Sequence, residues 1–527
     1  MEPSVPPESV TSEPTDCCPL HCDHQASLPP EVWELIFLNL DAVALARVRL
    51  TCVRWRDIVD LSSGLAERFE LTFPKNIWMD GRYEPENLFR AARNAQLEDC
   101  TIVTVDHWWP ALARRLVRLE LVNCTLPFPV LLGMLREAPN LRQLHLDVNM
   151  PGERGDLGWS FDDTLTDFVL PRLGQLKASF ANRQLGRICP NLKLFGQLEP
   201  DNALFDDFGD MDQFVAETQG SLLGLVFALT PKLVEAMRRM DRLRLHRVQI
   251  QNQCESWLVV QLTQFQRDLV EIEATEAVLT REDLCQIGRN VPNLMSLSVT
   301  VRPTEEEEDG VGSPSYLHFM PSLEILTVHH AERLIRIDFG RLANPRLRHV
   351  SLNDTRDCVR LKEYLGRCGA LQRLDMHACR LDSWAEVFGA VQQAPALLFL
   401  HLSCIRVQSG LDCLTERVGR LQYLTLRACD VTKGMLLHLI AVCPGLRQVQ
   451  LGLMVTVDDA VVLALCLGLP RLALLIVFRC PVTDESVGSL VRFGGDALQH
   501  VAIVDCERVT AGAIAKLGER FRVLYGA

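Results

Sequence analysis

Residues 371–379 read LQRLDMHAC, and the same frame returns along the C-terminal half of the chain. The frame is Leu-x-x-Leu-x-Leu-x-x-Cys, with β-branched residues accepted at the leucine positions. It recurs in LQYLTLRAC (421–429), LALLIVFRC (472–480) and LQHVAIVDC (498–506). From residue 323 onward, successive frames begin 24 to 26 residues apart. A fixed period of this length predicts a solenoid, in which each unit buries its apolar face against the next one.

The frame and its period resemble the leucine-rich repeat. The resemblance implies an α/β horseshoe, with parallel strands on the concave face and helices on the convex face. We expect repeats over 116–527, irregular to about 322 and regular in 323–527. Residues 66–115 are expected to form a linker and an entry cap, with a helix at 86–95 and a strand at 100–109. In the irregular part the repeats are expected to begin near Leu116, Leu141, Leu173, Leu192, Leu222, Met240, Leu269 and Leu294.

The composition is typical of an intracellular binding protein. Hydrophobic residues make up 48% of the chain, which is ample for a core, and the net charge of −13 argues against nonspecific nucleic-acid binding. The N-terminus does not resemble a cleavable signal peptide, so we expect reduced thiols and a location in the cytoplasm, the nucleus or both. Several cysteines share one repeat position, where a small buried hydrophobe is expected: Cys124, Cys379, Cys429, Cys480 and Cys506.

The sequence predicts no membrane span, metal site or cofactor site. The most apolar stretch, 460–478, is divided by Pro470 and Arg471 at a predicted helix-to-strand turn. The cysteines and histidines of 17–24 are too crowded for the paired ligands of a zinc site. The GxxxxGK[ST], GxSxG and HExxH patterns of common nucleotide and catalytic sites do not occur. We therefore expect a protein without catalytic activity of its own.

The N-terminal residues divide into two segments of different character. Residues 1–27 are rich in Pro, Ser, Thr and Glu without periodicity, which predicts a disordered tail. Residues 28–65 predict three short helices, the first capped by Ser27 and the others covering about 43–50 and 52–60. A unit of this size cannot bury all of its apolar residues by itself. We therefore expect it to dock on another surface.

This second segment resembles an F-box, through the patterns Leu28-Pro29-x-Glu31, Leu35-Ile36-Phe37 and Cys52-x-Arg54-Trp55-Arg56. The resemblance implies that residues 28–65 dock on the Skp-type adaptor of cullin–RING ubiquitin ligases. A small helical subdomain that caps the solenoid is the alternative interpretation. The resemblance assigns adaptor binding to Leu28, Pro29, Ile36, Leu40, Leu45, Val48 and Trp55, the last by locking the third helix.

The strands of the repeats can be assigned a face from sequence, because successive side chains of a strand point to opposite sides. The frame leucines point into the core, and the residues between and after them form the concave face. In the last two frames, Leu474, Ile476, Phe478, Ala502 and Val504 predict an apolar patch there. The alternative is that the tail, 520–527, or a loop folds over this patch. We predict that a protein substrate contacts Phe399, Tyr423, Arg427, Leu474, Ile476, Phe478 and Val504.

Three long loops interrupt the predicted repeats, at 149–170, 199–217 and 302–315. The second loop is acidic and contains Phe205, Phe208 and Phe214. These rings are expected either to pack on a basic, apolar partner or to fold back onto the horseshoe.

The F-box resemblance and the repeats together predict the substrate-recognition subunit of an SCF-type ubiquitin ligase. The chain would hold an unknown protein substrate for ubiquitination and proteasomal degradation, while its partners transfer ubiquitin. The alternative is a leucine-rich-repeat scaffold or inhibitor that works without a ligase.

Overall fold

The computed structural model shows a small helical unit followed by a solenoid of parallel strands and helices. The predicted tail, 1–27, lies outside the described residues, as do much of the three predicted loops and the start of the helix expected at 86–95. The structure describes residues 28–85, 92–150, 167–198, 210–302, 314–331, 335–340, 342–409 and 418–523.

The N-terminal unit contains the three predicted helices, α1 (Pro30–Phe37), α2 (Ala42–Arg49) and α3 (Val53–Leu61), and a short α4 (Ser63–Ala66). Pro29, not the predicted Ser27, is the N-cap of α1, and Pro30 occupies the first helical position, where no amide donor is needed. The carboxylate of Asp41 caps α2 by accepting a hydrogen bond from the Ala44 amide at 2.7 Å.

The strands follow one another along the chain and join mainly into one parallel sheet. Two small parallel pairs, β14–β16 and β18–β20, lie outside it. The strands are β1 (Glu70–Thr72), β2 (Trp78–Met79), β3 (Asn94–Glu98), β4 (Thr101–Ile102), β5 (Arg118–Thr125), β6 (Gln143–Asn149), β7 (Gln175–Ala178), β8 (Leu194–Gln197), β9 (Gly224–Phe227), β10 (Arg247–Ile250), β11 (Glu271–Leu279), β12 (Ser296–Val301), β13 (Ile325–His330), β14 (Ile335–Asp338), β15 (His349–Asn353), β16 (Thr355–Val359), β17 (Arg373–His377), β18 (Arg380–Ser383), β19 (Phe399–Ser403), β20 (Arg406–Ser409), β21 (Tyr423–Arg427), β22 (Gln448–Gly452), β23 (Leu474–Phe478), β24 (His500–Val504) and β25 (Arg522–Val523).

Helices return the chain from one strand to the start of the next, as parallel strands require. Several helices begin at a Thr or Asp whose side chain accepts a hydrogen bond from the first turn, as Thr432, Asp458 and Thr510 do. The helices after α4 are α5 (Trp109–Ala113), α6 (Phe128–Arg136), α7 (Arg183–Ile188), α8 (Met211–Thr218), α9 (Pro231–Arg238), α10 (Ser256–Phe265), α11 (Arg281–Asn290), α12 (Leu361–Arg367), α13 (Trp384–Gln393), α14 (Lys433–Val442), α15 (Asp459–Gly468), α16 (Asp484–Phe493) and α17 (Ala511–Gly518), with a 3-10 helix at Ser315–Phe319.

The sheet begins earlier than the predicted repeat boundary at 116. Strands β1 and β3 pair in parallel with each other, and β3 pairs with β5. The helix expected at 86–95 is therefore wrong at its C-terminal end, since β3 begins at Asn94. Of the strand expected at 100–109, only β4 is present, and α5 begins at Trp109.

The frame expected at Met240 is also misplaced, because two overlapping frames occur there. Met240, Leu243 and Leu245 match the leucine spacing, but β10 follows the second frame, which starts at Leu245. Met240 follows α9 and lies in the connection to β10. With this correction the frames at 222, 245, 269 and 294 are 23 to 25 residues apart. The remaining irregularity lies in the insertions before β7, β9 and β13 and in the short interval of 19 residues between Leu173 and Leu192.

The repeat cysteines are buried, as predicted; Cys124 lies near the end of β5, and the other four occupy the turn that follows a strand. Cys124, Cys379 and Cys429 donate their thiols to a carbonyl of the preceding repeat, at 3.3 to 3.5 Å. The residue before each cysteine has a positive φ, for example 52° at Ala378, which turns the chain sharply enough to point the thiol inward. Burial raises the pKa of the Cys379 thiol to about 11, so it remains protonated at neutral pH.

The remaining expectations for the solenoid concern its apolar stretch, its tail and its acidic loop. The stretch 460–478 forms most of α15 and then β23, and no helix in the described ranges is long and apolar enough to cross a membrane. In the tail, Arg522 and Val523 pair with β24 and extend the sheet. In the acidic loop, Phe214 folds back and is fully buried against Phe195, with ring centroids 4.5 Å apart.

Candidate binding surfaces

The N-terminal unit has a small core of its own. Phe37, Leu45, Val59 and Leu65 are buried in it, and Trp55 closes it from α3. The Trp55 ring lies 5.0 Å from that of Trp33 and 5.6 Å from that of Phe37. Such aromatic contacts add to the energy of burial and fix α3 against α1.

Two polar contacts hold the unit together. Arg49 on α2 makes a bidentate pair with Asp60 on α3, at 2.6 and 3.0 Å. Arg54 donates to the carbonyl of Leu28 at 2.8 Å and so ties the first described residue to α3. The three helices therefore present a defined surface rather than independent segments.

That surface is strongly apolar. Leu35 and Ile36 on α1 are 64% and 42% exposed, and Val43, Leu50 and Val53 around α2 and α3 are 61% to 82% exposed. An unpaired apolar surface on so small a unit is the mark of a protein interface. Of these five residues, only Ile36 was predicted to bind a partner. The sequence did contain a signal for the other residues: positions 43 and 50, at the two ends of the α2 segment, are apolar, and the small core cannot cover both of them.

The other residues predicted to bind the adaptor divide by burial. Pro29 is exposed and Leu28 is half-buried at the start of α1. Leu40, Val48 and Trp55 are half-buried and pack against the core of the unit. The prediction for Leu45 requires correction, because its side chain is fully buried among Phe37, Val59 and Leu65. Leu45 therefore stabilises the unit and cannot contact a partner in this conformation.

The predicted substrate residues lie together at the C-terminal end of the concave face. The register of the sheet aligns Phe399, Tyr423, Gln448, Leu474 and His500 in one row across five strands. The rings of Phe399 and Tyr423 stack, with centroids 4.0 Å apart and planes 8° apart. The two rings thus form a rigid aromatic platform on β19 and β21.

A second row places Arg427, Gly452, Phe478 and Val504 side by side. The Arg427 guanidinium lies over the Phe478 ring, 5.1 Å from its centroid, although β22 separates their strands. The contact is possible because Gly452 has no side chain. A Cβ atom built on Gly452 would lie 1.8 Å from Cε1 of Phe478. The ring therefore lies flat on the Gly452 backbone and reaches the arginine.

Two residues expected on this face are buried, and one arginine is already paired. Ala502 and Ser403 are 3% and 5% exposed, because their short side chains lie below those of their neighbours. Arg373 on β17 donates to both carboxylate oxygens of Asp375. Burial acts to raise the pKa of Asp375, but hydrogen bonds from His349 and Arg373 outweigh it and lower that pKa.

The apolar patch of the last two repeats consists of Leu474, Ile476, Phe478 and Val504, all half-buried. The described part of the tail continues the sheet as β25 and does not cross the patch, while 524–527 lie outside the described residues. In the described ranges, no group of three or more His, Cys, Asp or Glu residues could hold a metal ion.

Comparison with known proteins assigns the N-terminal unit. Residues 26–65 match the family model of the F-box domain. The chain thus contains an F-box domain followed by leucine-rich repeats. Its repeats are evident in the parallel strands of 70–523, which recur with the predicted leucine frame. Comparison with curated proteins gave no match.

Two of the solved structures that align with this chain are the following. The TLR13–ssRNA13 complex aligns with 88% of this chain and 75% of that chain, at 12% identity and a TM-score of 0.46. The LRR ectodomain of the plant receptor kinase GASSHO1/SCHENGEN3 from Arabidopsis thaliana aligns with 83% of this chain and 56% of that chain. Its identity is 14% and its TM-score 0.33.

The concave face of this F-box protein has a further feature, which the sequence did not predict. A hollow of about 460 Å³ lies over β5 to β11, in the repeats before the regular region. The strands beneath the hollow include two glycines, Gly196 on β8 and Gly224 on β9, which place no side chain on the surface. The side chain of Leu194 lies across Gly224. Two ion pairs, Arg118–Glu120 and Arg247–Glu271, stand at its ends. Glycine at a concave strand position was the available signal, since it leaves the backbone uncovered.

Proposed function

We propose that this protein is the substrate-recognition subunit of an SCF-type E3 ubiquitin ligase. The F-box would bind the Skp-type adaptor, and through it the cullin–RING ligase. The leucine-rich repeats would hold a protein substrate for ubiquitination and proteasomal degradation. The observation that carries the proposal is the exposed apolar surface of Leu35, Ile36, Val43, Leu50 and Val53 on a unit that matches the F-box family.

The proposal assigns the chemistry to the partners. F-box domains and leucine-rich repeats are typically binding modules, so the chain contributes proximity: it raises the effective concentration of substrate lysines near the ubiquitin-loaded enzyme. This role places the protein in the cytoplasm, the nucleus or both, where that machinery would meet it.

Within the repeats, the proposed substrate surface combines the aromatic platform with the apolar patch. Phe399 and Tyr423 offer stacked rings, and Arg427 on Phe478 offers a cation beside Leu474 and Ile476. Aromatic and arginine side chains surrounded by aliphatic ones are the usual composition of an interface hot spot.

Adaptor binding is tested by co-purification from cells. Leu35→Asp combined with Ile36→Asp should abolish recovery of the Skp-type adaptor and the cullin, because charged groups would be buried at the interface. Leu437→Asp, at an exposed leucine on α14, is the matched control and should leave recovery unchanged. Unchanged recovery with the F-box variant would remove the ligase role and leave a ligase-independent repeat scaffold or inhibitor.

Substrate binding is tested by mass spectrometry of partners that accumulate when the proteasome is inhibited. Leu474→Asp should lose these partners while retaining the adaptor. Ile325→Asp is the control, because Ile325 lies at the equivalent register position of β13 and is at least as exposed as the half-buried Leu474. Equal loss in both variants, or in neither, would place the substrate site elsewhere.

A further inference from the structure

The hollow over β5 to β11 contains an unbalanced pair of charges. Lys177 on β7 is exposed and has no ion pair among the described residues. Glu273 on β11 accepts a hydrogen bond from the uncharged Gln249 at 3.2 Å and likewise has no cationic partner there. By contrast, the arginines at the hollow, Arg118 and Arg247, are each paired with a glutamate. One positive and one negative group therefore remain available to a ligand.

These two charges lie four strands apart in a single row. The register aligns Lys177 with Gly196, Gly196 with Val226, Val226 with Gln249, and Gln249 with Glu273. Neighbouring strands are about 4.8 Å apart, so four intervals separate the charges by about 19 Å. A peptide in the polyproline II conformation covers this distance in about six residues, at about 3.1 Å each, and its three-residue turn brings the first, fourth and seventh side chains to one face. The separation is matched to a peptide and exceeds the length of most small metabolites.

The middle of the row accepts an apolar side chain. Val226 is half-buried and stands two strands from either charge, about 10 Å away. Beside it, the aliphatic part of the Lys177 side chain lies over Gly196, with its Cγ 3.3 Å from the place of a Cβ atom there, and Leu194 supplies a second aliphatic surface. Next to Lys177, burial lowers the pKa of His145, so this histidine is mainly uncharged at neutral pH and Lys177 is the cation at that end.

We propose that this hollow binds a peptide segment of a partner protein in the polyproline II conformation, with an acidic residue at one end, a bulky apolar residue three positions later and a basic residue three positions beyond that. The acidic residue lies against Lys177, the apolar residue over Val226 and Gly196, and the basic residue against Glu273. The site lies on strands distant from the C-terminal patch in the sheet, and it exists whether or not the F-box recruits a ligase.

Panning a library of random heptapeptides, displayed on phage, against the immobilised full chain tests the proposal. Peptides with oppositely charged ends and an apolar fourth residue should be enriched, in either chain direction. Because each contact is a surface ion pair, removal of one charge should weaken binding about threefold, and reversal on the order of tenfold. Absence of this selection would overturn the proposal, whether the hollow is unused or binds a ligand of another kind.

Charge reversal of the protein makes the test specific. Glu273→Lys should change the selection to peptides with acidic residues at both ends, and Lys177→Glu to peptides with basic residues at both ends. Val226→Asp should remove the preference for an apolar fourth residue. Lys232→Glu on the exposed surface of α9 is the control and should leave the selection unchanged. The proposal fails if Glu273→Lys still selects oppositely charged ends, or if Lys232→Glu alters the selection as strongly.

Discussion

Substitution of Gly452 by alanine should have opposite effects on stability, depending on the residue at position 478. In the native chain the new methyl group would lie 1.8 Å from Cε1 of Phe478, far inside contact distance. The ring must move off β22, and its contact with Arg427 is lost. Overpacking of this kind costs about 1–3 kcal/mol, and an exposed cation–π contact is worth about 0.5–1 kcal/mol. We therefore expect Gly452→Ala to lower the free energy of unfolding by about 2 kcal/mol.

The result should reverse when Phe478 is also replaced by alanine. Without the ring, the three atoms nearest to the new methyl group are gone, and alanine at position 452 reduces the conformational freedom of the unfolded chain. Such a replacement stabilises a protein by about 0.4–1 kcal/mol. The coupling between the two positions is then about 2–3 kcal/mol, which is large for two residues on neighbouring strands.

Urea-induced unfolding of the four proteins, followed by circular dichroism, measures this coupling. Val504→Ala is a suitable control for the loss of an apolar side chain from the same row without removal of the ring. If Gly452→Ala destabilises both backgrounds equally, the ring does not lie on the Gly452 backbone, and the account of this part of the concave face is wrong.

Further predictions concern the F-box core and the buried cysteines. Leu45→Ala should destabilise the F-box by about 2–5 kcal/mol, because it removes a buried side chain. Limited proteolysis should then cleave the N-terminal unit of this variant rapidly, whereas the unit should resist cleavage in Leu35→Asp. Equal rates of cleavage in the two variants would contradict the burial assigned to these residues. At pH 7.5 a maleimide should modify the exposed Cys52 and Cys404 but not the buried Cys379 and Cys429, and peptide mass spectrometry can measure the modification of each cysteine. Rapid modification of Cys379 would show that the turn containing it opens readily. Burial raises the pKa of Cys379 and Cys429 to about 11, above the ordinary value of 9.0 that these thiols have in the unfolded chain. The stability that the buried thiols contribute is therefore fully present below pH 9 and is lost as the pH rises from 9 towards 11. The urea midpoint should fall in that window, and Cys379→Ala should reduce the slope; an unchanged slope would exclude Cys379 as a source of the effect.

The fold could be predicted from the sequence because its determinants are local and repeated. The leucine frame alternates between core and concave face with the period of a strand, so the exposure of Arg373, Tyr423 and Leu474 followed directly. The interval between frames then placed each strand beside the next one. Prediction failed at residues 240–250, where Met240 and Leu245 both begin an acceptable frame and only packing selects the second.

The candidate surfaces were harder to predict, because they depend on contacts between strands or helices. The F-box motif contains apolar residues on every side of its helices, so the sequence alone did not separate the buried Leu45 from the exposed Leu35. Similarly, nothing in the segment around Gly452 indicates that a ring from β23 covers it. The hollow at Gly196 and Gly224 belongs to repeats of irregular length, whose alignment across the sheet only the structure provides.

The most direct test of the central proposal is a titration of the purified full chain with a purified Skp-type adaptor, by isothermal calorimetry. We predict a one-to-one complex whose dissociation constant rises at least a hundredfold in the Leu35→Asp, Ile36→Asp double variant and is unchanged in Leu437→Asp. Equal affinity for all three proteins, or no binding by the native chain, would contradict the assignment of this surface to a ubiquitin ligase.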